Sequence, residues 1–295
     1  MKYAIAGIPV PSRYPPNPSS HGIARDVWVR SGMMHALIRG LADVILAPAC
    51  LGCDGIIRAG DTARLVCRVC RSRLKAVPPP FCQRCGAPLL KTGRSVEAVC
   101  PECAHWPDAI HHARSACLLH PPGDRLVHQL KYRGWRALAT PMAERMALTH
   151  LPHRDGHAPR YCIAVPTTQG RMRERGYNQA ALLASGYASH TGLELVDWLR
   201  RTGARGSQTS LQPMARAANV AGAFALTDAA VMPSGDGGSL REAPVEGAHI
   251  VLVDDVLTTG ATAAECVQVL VAAGACCVSI MTFARALDAR RLLQT

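Results

Sequence analysis

Four Cys-x-x-Cys pairs constrain this 295-residue chain more than any other feature of its sequence. Two cysteines separated by two residues form a tight turn that directs both sulfurs to one point, and two such turns supply the four ligands of a tetrahedral zinc ion. Disulfides between them would be unusual in a reducing compartment. The predicted metal ligands are Cys50, Cys53, Cys67, Cys70, Cys82, Cys85, Cys100 and Cys103.

The order of the pairs indicates how they combine into two sites. Sequential pairing closes the shorter loops, so it groups Cys50 to Cys70 at one ion and Cys82 to Cys103 at the other. Interleaved pairing remains an alternative, and an iron–sulfur cluster is an alternative occupant. A closed all-thiolate site has no open position for a substrate, so we expect two structural Zn²⁺ ions in a double zinc ribbon.

The turns of the two units differ at one position. Gly86 follows Cys85, where the turn commonly needs a positive φ, whereas Asp54 follows Cys53 in the first unit. Because a residue with a Cβ adopts positive φ less readily, we expect the first turn to be looser.

Charge and hydropathy limit the classes of partner. The chain has 33 Lys and Arg against 21 Asp and Glu, a net charge of +12 that attracts nucleic acid, phosphorylated metabolites or an acidic membrane surface. No segment reaches the roughly 20 apolar residues that span a bilayer. The first residues also lack the apolar core of a signal peptide. We therefore expect a cytoplasmic protein without a membrane span.

The composition changes along the chain and divides it into four parts. Residues 1–32 contain the proline-rich run PVPSRYPPNPSSHG, which predicts a flexible extension. Residues 33–48 carry an apolar stripe at helical spacing, which predicts an amphipathic helix that docks on its own protein. Residues 49–106 hold the cysteine pairs, and residues 107–295 form a larger domain.

Strand-like apolar segments alternate with amphipathic helical segments after Trp106. This alternation predicts an α/β fold with a mostly parallel sheet and flanking helices. The predicted strands are ARSACLL, YCIAVP, HIVLVDD and CCVSIMTFARA, and the predicted helices are DRLVHQLKY, LATPMAERMALTHL, NQAALLASGYASHTG and ATAAECVQVLVAAGA. The polar segment 227–247 is predicted to be a surface loop.

The segment IVLVDDVLTTGATAAEC contains the most specific candidate ligand site. An apolar strand leads to two adjacent acids, and a Thr/Gly turn then leads to a helix whose free N-terminal amides attract a phosphate. The acids can accept hydrogen bonds from vicinal hydroxyls. A ligand with a ribose diol beside a phosphate fits both halves. The candidate ligand-binding residues are Asp254, Asp255, Thr258, Thr259, Gly260, Ala261 and Thr262.

Basic residues precede this segment in two clusters. Guanidinium groups can donate two parallel hydrogen bonds to a phosphate, so arginines near the loop are candidates for binding a second anion. The candidate anion-binding residues are Lys131, Arg133, Arg171, Arg173 and Arg175.

The acidic pair and its loop resemble the binding motif for 5-phosphoribosyl-1-pyrophosphate (PRPP) in type I phosphoribosyltransferases. The resemblance implies that Asp254 and Asp255 hold the ribose, that residues 258–262 hold the 5-phosphate, and that Mg²⁺ accompanies PRPP. It also implies that the basic residues face the pyrophosphate. No general base for an acceptor stands out, so the resemblance leaves enzymatic transfer open.

The order of the motifs along the chain is similar to that of the ComF family. These motifs are, in sequence, the cysteine pairs, LKYRG, RERGYNQA, SQTSL, NVAGAF and VLVDDVLTTGAT. Members of this family join a double zinc ribbon to a phosphoribosyltransferase domain. The resemblance implies a role in natural competence and transformation, with PRPP, incoming single-stranded DNA and other competence proteins as partners. The alternative is a protein without catalysis that senses PRPP or a nucleotide and binds single-stranded nucleic acid, with Trp106, Tyr132 or Trp135 available for base stacking.

Overall fold

The computed structural model describes residues 49–57, 65–89, 100–153, 157–202, 222–231 and 244–287. The predicted extension 1–32 and the predicted helix 33–48 lie outside the described residues. All of the described residues belong to one compact unit.

A five-stranded parallel sheet is the centre of this unit, with the strand order β1-β7-β6-β2-β3. A separate antiparallel pair consists of β4 and β5. The strands are β1 (Ile110–Leu118), β2 (Tyr161–Ala164), β3 (Glu194–Leu195), β4 (Leu199–Arg201), β5 (Phe224–Leu226), β6 (His249–Leu257) and β7 (Cys277–Arg285). The prediction of a mostly parallel sheet with flanking helices is confirmed.

Seven α-helices lie within the described residues, and a 3-10 turn at Arg136–Leu138 joins two of them. The helices are α1 (Arg68–Arg73), α2 (Gly123–Tyr132), α3 (Ala139–Ala147), α4 (Gln169–Arg175), α5 (Gln179–Thr191), α6 (Asp228–Val231) and α7 (Ala261–Ala272). Asn178 is the N-cap of α5, and its side chain accepts a hydrogen bond from the amide of Ala180 at 3.1 Å.

The central strand β6 is buried on both faces, which explains why its sequence is a continuous apolar run rather than an alternating one. Ile250 and Leu252 join the hydrophobic core on the face that α7 covers. Val251 and Val253 point to the opposite face and join a second core with α2, α3 and α5. The sheet therefore separates two cores.

Each cysteine unit contributes to a different one of these cores. Cys50 and Cys70 of the first unit are buried with α2 and α3. Cys85 and Cys103 of the second unit are buried with α7 on the other face. The two units thus pack against opposite faces of one sheet.

Two short helices differ from the predictions. Helix α4 forms in a segment for which no helix was predicted, and it begins where the Thr168 hydroxyl accepts a hydrogen bond from the amide of Arg171. Helix α6 occupies the beginning of the predicted loop 227–247, so that prediction is wrong for these four residues. Residues 232–243 of the same segment lie outside the described residues.

Across the described part of the chain, every helix is too short or too polar to cross a membrane.

Candidate functional site

The Thr/Gly turn lies between the end of β6 and the first residue of α7. Gly260 is the N-cap of α7 with a φ of +81°, and it has no side chain that could cap the helix. Thr258 and Thr259 are exposed, while Ala261 and Thr262 are half-buried. The turn therefore brings two hydroxyls to the amides of an uncapped first helical turn, which is an arrangement that suits a phosphate.

The two acids precede this turn at the carboxyl end of β6. Asp255 is buried and Asp254 is half-buried. One Asp254 carboxylate oxygen accepts a hydrogen bond from the Asp255 amide at 2.8 Å. Burial, followed by the charge of Asp255, raises the pKa of Asp254 to about 8, although the cation of Lys131 acts in the opposite direction. A ligand that donates hydrogen bonds here would stabilise the charged carboxylate.

Lys131 lies at the end of α2 and reaches the acidic pair. Its Nζ is 2.9 Å from a carboxylate oxygen of Asp255, and both side chains are largely buried. The sequence predicted that Lys131 binds an anion, whereas the structure places it against a carboxylate. Arg133, at the C-cap of the same helix, is exposed.

The three candidate arginines of α4 have different surroundings. Arg171 and Arg173 are exposed. Arg175 is half-buried, with its guanidinium carbon 4.9 Å from the centre of the Tyr132 ring. It also donates a hydrogen bond to the side chain of Gln179 at 3.0 Å. Arg175 therefore connects α4 to the end of α2, near Lys131.

A second arginine–tyrosine pair lies beside this one, and sequence reasoning missed it. The Arg136 guanidinium carbon lies 4.7 Å from the centre of the Tyr177 ring, and Arg136 donates to the carbonyl of Gly176 at 3.1 Å. The Tyr177 hydroxyl donates to the carbonyl of Leu130. The motifs LKYRG and RERGYNQA therefore meet in space, which neither motif reveals by itself.

The eight predicted metal-ligating sulfurs form two clusters that follow the chain order. Within each cluster the four sulfurs lie within 4.8 Å of one another. The Sγ separations include 3.9 Å for Cys53 and Cys67, 3.8 Å for Cys82 and Cys103, and 3.7 Å for Cys85 and Cys100. Four sulfurs about 2.3 Å from a tetrahedral zinc ion lie about 3.8 Å apart, so both clusters fit structural zinc.

Burial and amide hydrogen bonds shift the pKa values of the clustered thiols in opposite directions. Burial raises the pKa of the Cys50 thiol, but hydrogen bonds from the amides of Cys67 and Gly52 outweigh it and lower the pKa to about 7. Burial raises the pKa of Cys85 to about 11. A zinc ion would favour the thiolate form of all four ligands in each cluster.

The turn of the first cysteine unit has the same backbone conformation as the turn of the second. Gly86 has a φ of +68°, and Asp54 has a φ of +59° at the corresponding position. The Asp54 carboxylate accepts a hydrogen bond from Arg125 of α2. The expected looser first turn is therefore not what the structure contains, because Asp54 adopts the left-handed conformation and is tied to a helix.

Trp106 connects the second cysteine unit to the Thr/Gly turn. Its indole N–H donates a hydrogen bond to the carbonyl of Thr259 at 2.9 Å, and only 4% of the residue is exposed. The prediction that Trp106 is available for stacking with bases is wrong, since the ring is covered by the turn. Tyr132 and Trp135 are exposed, by 56% and 44% respectively.

Comparisons with known proteins agree with the combination of a cysteine-rich unit and an α/β domain in one chain. A model of the double zinc ribbon domain matches residues 41–112, and a model of the phosphoribosyl transferase domain matches residues 179–294. The DNA utilization protein YhgH of Escherichia coli (strain K12) is 30% identical over 234 residues, which cover 75% of this chain and 91% of YhgH. Competence protein ComFC of Bacillus subtilis (strain 168) is 27% identical over 236 residues, covering 74% and 87%.

The chain belongs to the ComF family. The family predicted from the order of motifs is thereby confirmed, as is the combination of a double zinc ribbon with a phosphoribosyltransferase domain. Among solved structures, TT1426 from Thermus thermophilus is 20% identical to this ComF-family chain, with a TM-score of 0.28; the match covers 56% of this chain and 80% of that one.

Proposed function

We propose that this ComF-family protein binds PRPP with Mg²⁺ at the end of β6. The observation that carries the proposal is the direct succession of Asp254 and Asp255 and an uncapped helix N-terminus at Gly260. The acids accept hydrogen bonds from the ribose hydroxyls, and residues 258–262 bind the 5-phosphate through amides and hydroxyls. The ribose and the 5-phosphate are adjacent in PRPP, and the acids and the turn that would bind them are adjacent in the chain.

Electrostatics support a cation as a component of this site. Within the described residues, the only ion pair found at Asp254 and Asp255 is that of Asp255 with Lys131. Burial, and after it the charge of Asp255, raises the pKa of Asp254, so a cation beside the pair would favour its charged form. Mg²⁺ would supply charge compensation between the ribose and pyrophosphate oxygens when it arrives with PRPP.

We further propose that the bound PRPP serves a reaction or a signal in DNA handling. As an enzyme, the protein would let pyrophosphate leave and hold the ribosyl centre while an acceptor attacks, and positioning and charge would provide the rate enhancement. The relatives are named a DNA utilization protein and a competence protein, which supports a role with incoming single-stranded DNA. Release of pyrophosphate from PRPP in the presence of bases, amines or single-stranded DNA would identify the acceptor class.

Isothermal titration calorimetry with PRPP and Mg²⁺ tests the binding proposal. The wild-type protein is expected to bind, and the double variant Asp254→Ala, Asp255→Ala is expected to lose measurable binding because the ribose hydroxyls lose both acceptors. The exposed Asp228 of α6 provides a matched control, and Asp228→Ala should bind as the wild type does. Unchanged affinity in the double variant would remove the site assignment.

A second candidate function, binding of single-stranded nucleic acid, is favoured by the exposed aromatic side chains of Tyr132 and Trp135. Arg133 lies between them and is also exposed, so bases could stack while a cation contacts phosphate. Fluorescence anisotropy with a labelled oligonucleotide should show affinity that falls steeply with salt and falls further in Trp135→Ala. A protein that acts only on metabolites would show no affinity at low salt.

A further inference from the structure

The strongest unassigned feature of the molecule is the contact between the second cysteine unit and the phosphate loop, which is defined here as residues 258–262. We infer that Trp106 is a positioning residue for this loop and that the second zinc site thereby sets the geometry in which the 5-phosphate binds. The inference rests on the proposed PRPP binding and extends it to a residue outside the PRPP motif. Trp106 and Thr259 are 153 residues apart in the sequence.

The hydrogen bond from Trp106 fixes the orientation of one peptide group of the loop. The indole Nε1 donates to the Thr259 carbonyl at 2.9 Å. In a trans peptide, the carbonyl and the following N–H point in opposite directions. With the Thr259 carbonyl held by the indole, the Gly260 N–H must point away from the ring, toward the side of the loop where a phosphate can be bound.

The ring also explains why position 260 is glycine. A Cβ at this position would lie 2.5 to 2.9 Å from atoms of the Trp106 ring, closer than real Cβ contacts allow. The positive φ of Gly260 adds a second reason. The missing Cβ of Gly260 makes room for the indole behind the loop.

The position of Trp106 is set by the second cysteine unit. The Trp106 amide donates to the carbonyl of Cys103, a predicted zinc ligand, at 3.1 Å. The Arg84 guanidinium donates to the carbonyls of Cys103, Trp106 and Pro107 at 3.1, 3.2 and 2.6 Å. The indole is therefore held by the same backbone that surrounds the metal cluster.

A second connection ties this unit to the strands that carry the loop. The buried side chain of Arg285, at the end of β7, donates to the carbonyl of Cys85 at 2.6 Å. Arg285 pairs in register with Leu257, the last residue of β6. A shift of the second cysteine unit would consequently reach the loop by two routes, through Trp106 and through the end of β6 that leads into the loop.

The first cysteine unit has different neighbours and does not share this role. It packs in the core on the opposite face of the sheet, together with α2 and α3. One of its polar contacts with the rest of the protein is the hydrogen bond that Arg125 of α2 donates to Asp54. The phosphate loop is therefore positioned by the second zinc site and not by the first.

Replacing Trp106 by phenylalanine tests the inference, because Trp106→Phe keeps an aromatic ring but removes the N–H donor. Without this bond the loop has to be ordered when the ligand binds, so affinity should fall by up to about fivefold, the equivalent of one neutral hydrogen bond. Calorimetry should show that decrease for both PRPP with Mg²⁺ and ribose 5-phosphate, since both contain the 5-phosphate. The control is Trp198→Phe, which changes a tryptophan equally buried in the same core, with its ring centre 4.6 Å from that of Tyr161. This change should leave both affinities unchanged.

Phosphorus NMR distinguishes a local effect of Trp106→Phe on the phosphate loop from a general disturbance of the binding site. In the saturated Trp106→Phe complex, the 5-phosphate resonance should move while the two pyrophosphate resonances keep their wild-type positions. A change spread equally over all three resonances, or a loss of bound zinc that accompanies the weaker binding, would overturn the positioning role. Equal affinity of Trp106→Phe and wild type would overturn it as well.

A measurement on the unmodified protein guards against a variant that fails to fold. In wild-type protein labelled with ¹⁵N tryptophan, one indole N–H resonance should shift when ribose 5-phosphate is added. If ribose 5-phosphate binds and no indole resonance shifts, the inference about Trp106 is wrong. If the wild type binds neither ribose 5-phosphate nor PRPP, the proposed function itself fails, which is a distinct result.

Discussion

At the scale of single residues, the two acids of the site are chemically unequal although they are adjacent. Asp255 is buried and paired with Lys131. Asp254 is half-buried, and burial and the charge of Asp255 raise its pKa to about 8. This difference suits a pair in which Asp255 stays bound to Lys131 while Asp254 becomes charged when a diol binds.

The raised pKa of Asp254 predicts that PRPP affinity increases with pH. Near neutral pH this carboxyl is mostly protonated in the free protein, and a hydroxyl donor favours the carboxylate, so binding releases a proton. Affinity should rise about tenfold from about pH 7 to about pH 9 and then level off, because the ionised fraction rises through the pKa. Calorimetry at several pH values measures this slope.

Asp254→Asn provides the control for this pH dependence. The asparagine cannot titrate, so its weaker affinity should be flat over the same interval. A slope as steep as that of the wild type would assign the titration to another group.

Contacts between residues that are far apart in the sequence could not be predicted from it. The placement of the acids at the end of a strand and of the loop at the start of a helix was predictable, because these residues are contiguous in the sequence. The pairing of Lys131 with Asp255 and the contact of Trp106 with Thr259 join segments that only the fold brings together. For this reason Trp106 was wrongly predicted to stack with bases. In a chain with a net positive charge, a tryptophan is a plausible base-stacking residue until its burial is known.

At the scale of elements, the segments that the sequence predicted well are those with strong periodicity. The apolar runs of β6 and β7 and the capped helix α5 lie where they were expected. Helix α4 was missed because its segment contains Gly170 and three arginines and has no buried residue, so no apolar stripe marks it. Its hydroxyl cap at Thr168 was the available signal.

Gly86, which follows Cys85, and Gly134 have similar backbone conformations, but replacing them by alanine should destabilise the protein to different extents. A Cβ at Gly86 would lie 2.8 Å from the backbone carbonyl of Ala113 in β1, whereas nothing lies within 4 Å of a Cβ at Gly134. Their φ values are +68° and +73°. Gly134→Ala should lower the free energy of unfolding by about 1 kcal/mol, and Gly86→Ala by about 2 to 4 kcal/mol, because the clash adds to the backbone strain.

Chemical denaturation and zinc analysis of the two variants measure this difference. The Gly86→Ala protein should also bind zinc less tightly, since the turn that carries Cys82 and Cys85 is displaced from β1. Equal destabilisation by the two changes would show that the second cysteine unit is not seated on β1 as the structure has it.

At the scale of the whole molecule, the ribbon and the sheet share their hydrophobic cores. The sequence predicted a small metal module at 49–106 followed by an α/β domain at 107–295, and it contained no signal that the two cysteine units lie on opposite faces of the sheet. That placement depends on long-range packing, such as the burial of Cys85 beside Arg285 and of Cys70 beside α2. The second unit thereby lies next to the proposed PRPP site, where Trp106 contacts the loop.

A crystal structure of the protein with PRPP, Mg²⁺ and zinc tests the central claim most directly. The account predicts the 5-phosphate against the amides of residues 259–262, the ribose hydroxyls on Asp254 and Asp255, and the Trp106 indole still bonded to the carbonyl of Thr259. A phosphoribosyl group bound at any other place, or a loop whose amides face away from the ligand, would contradict it.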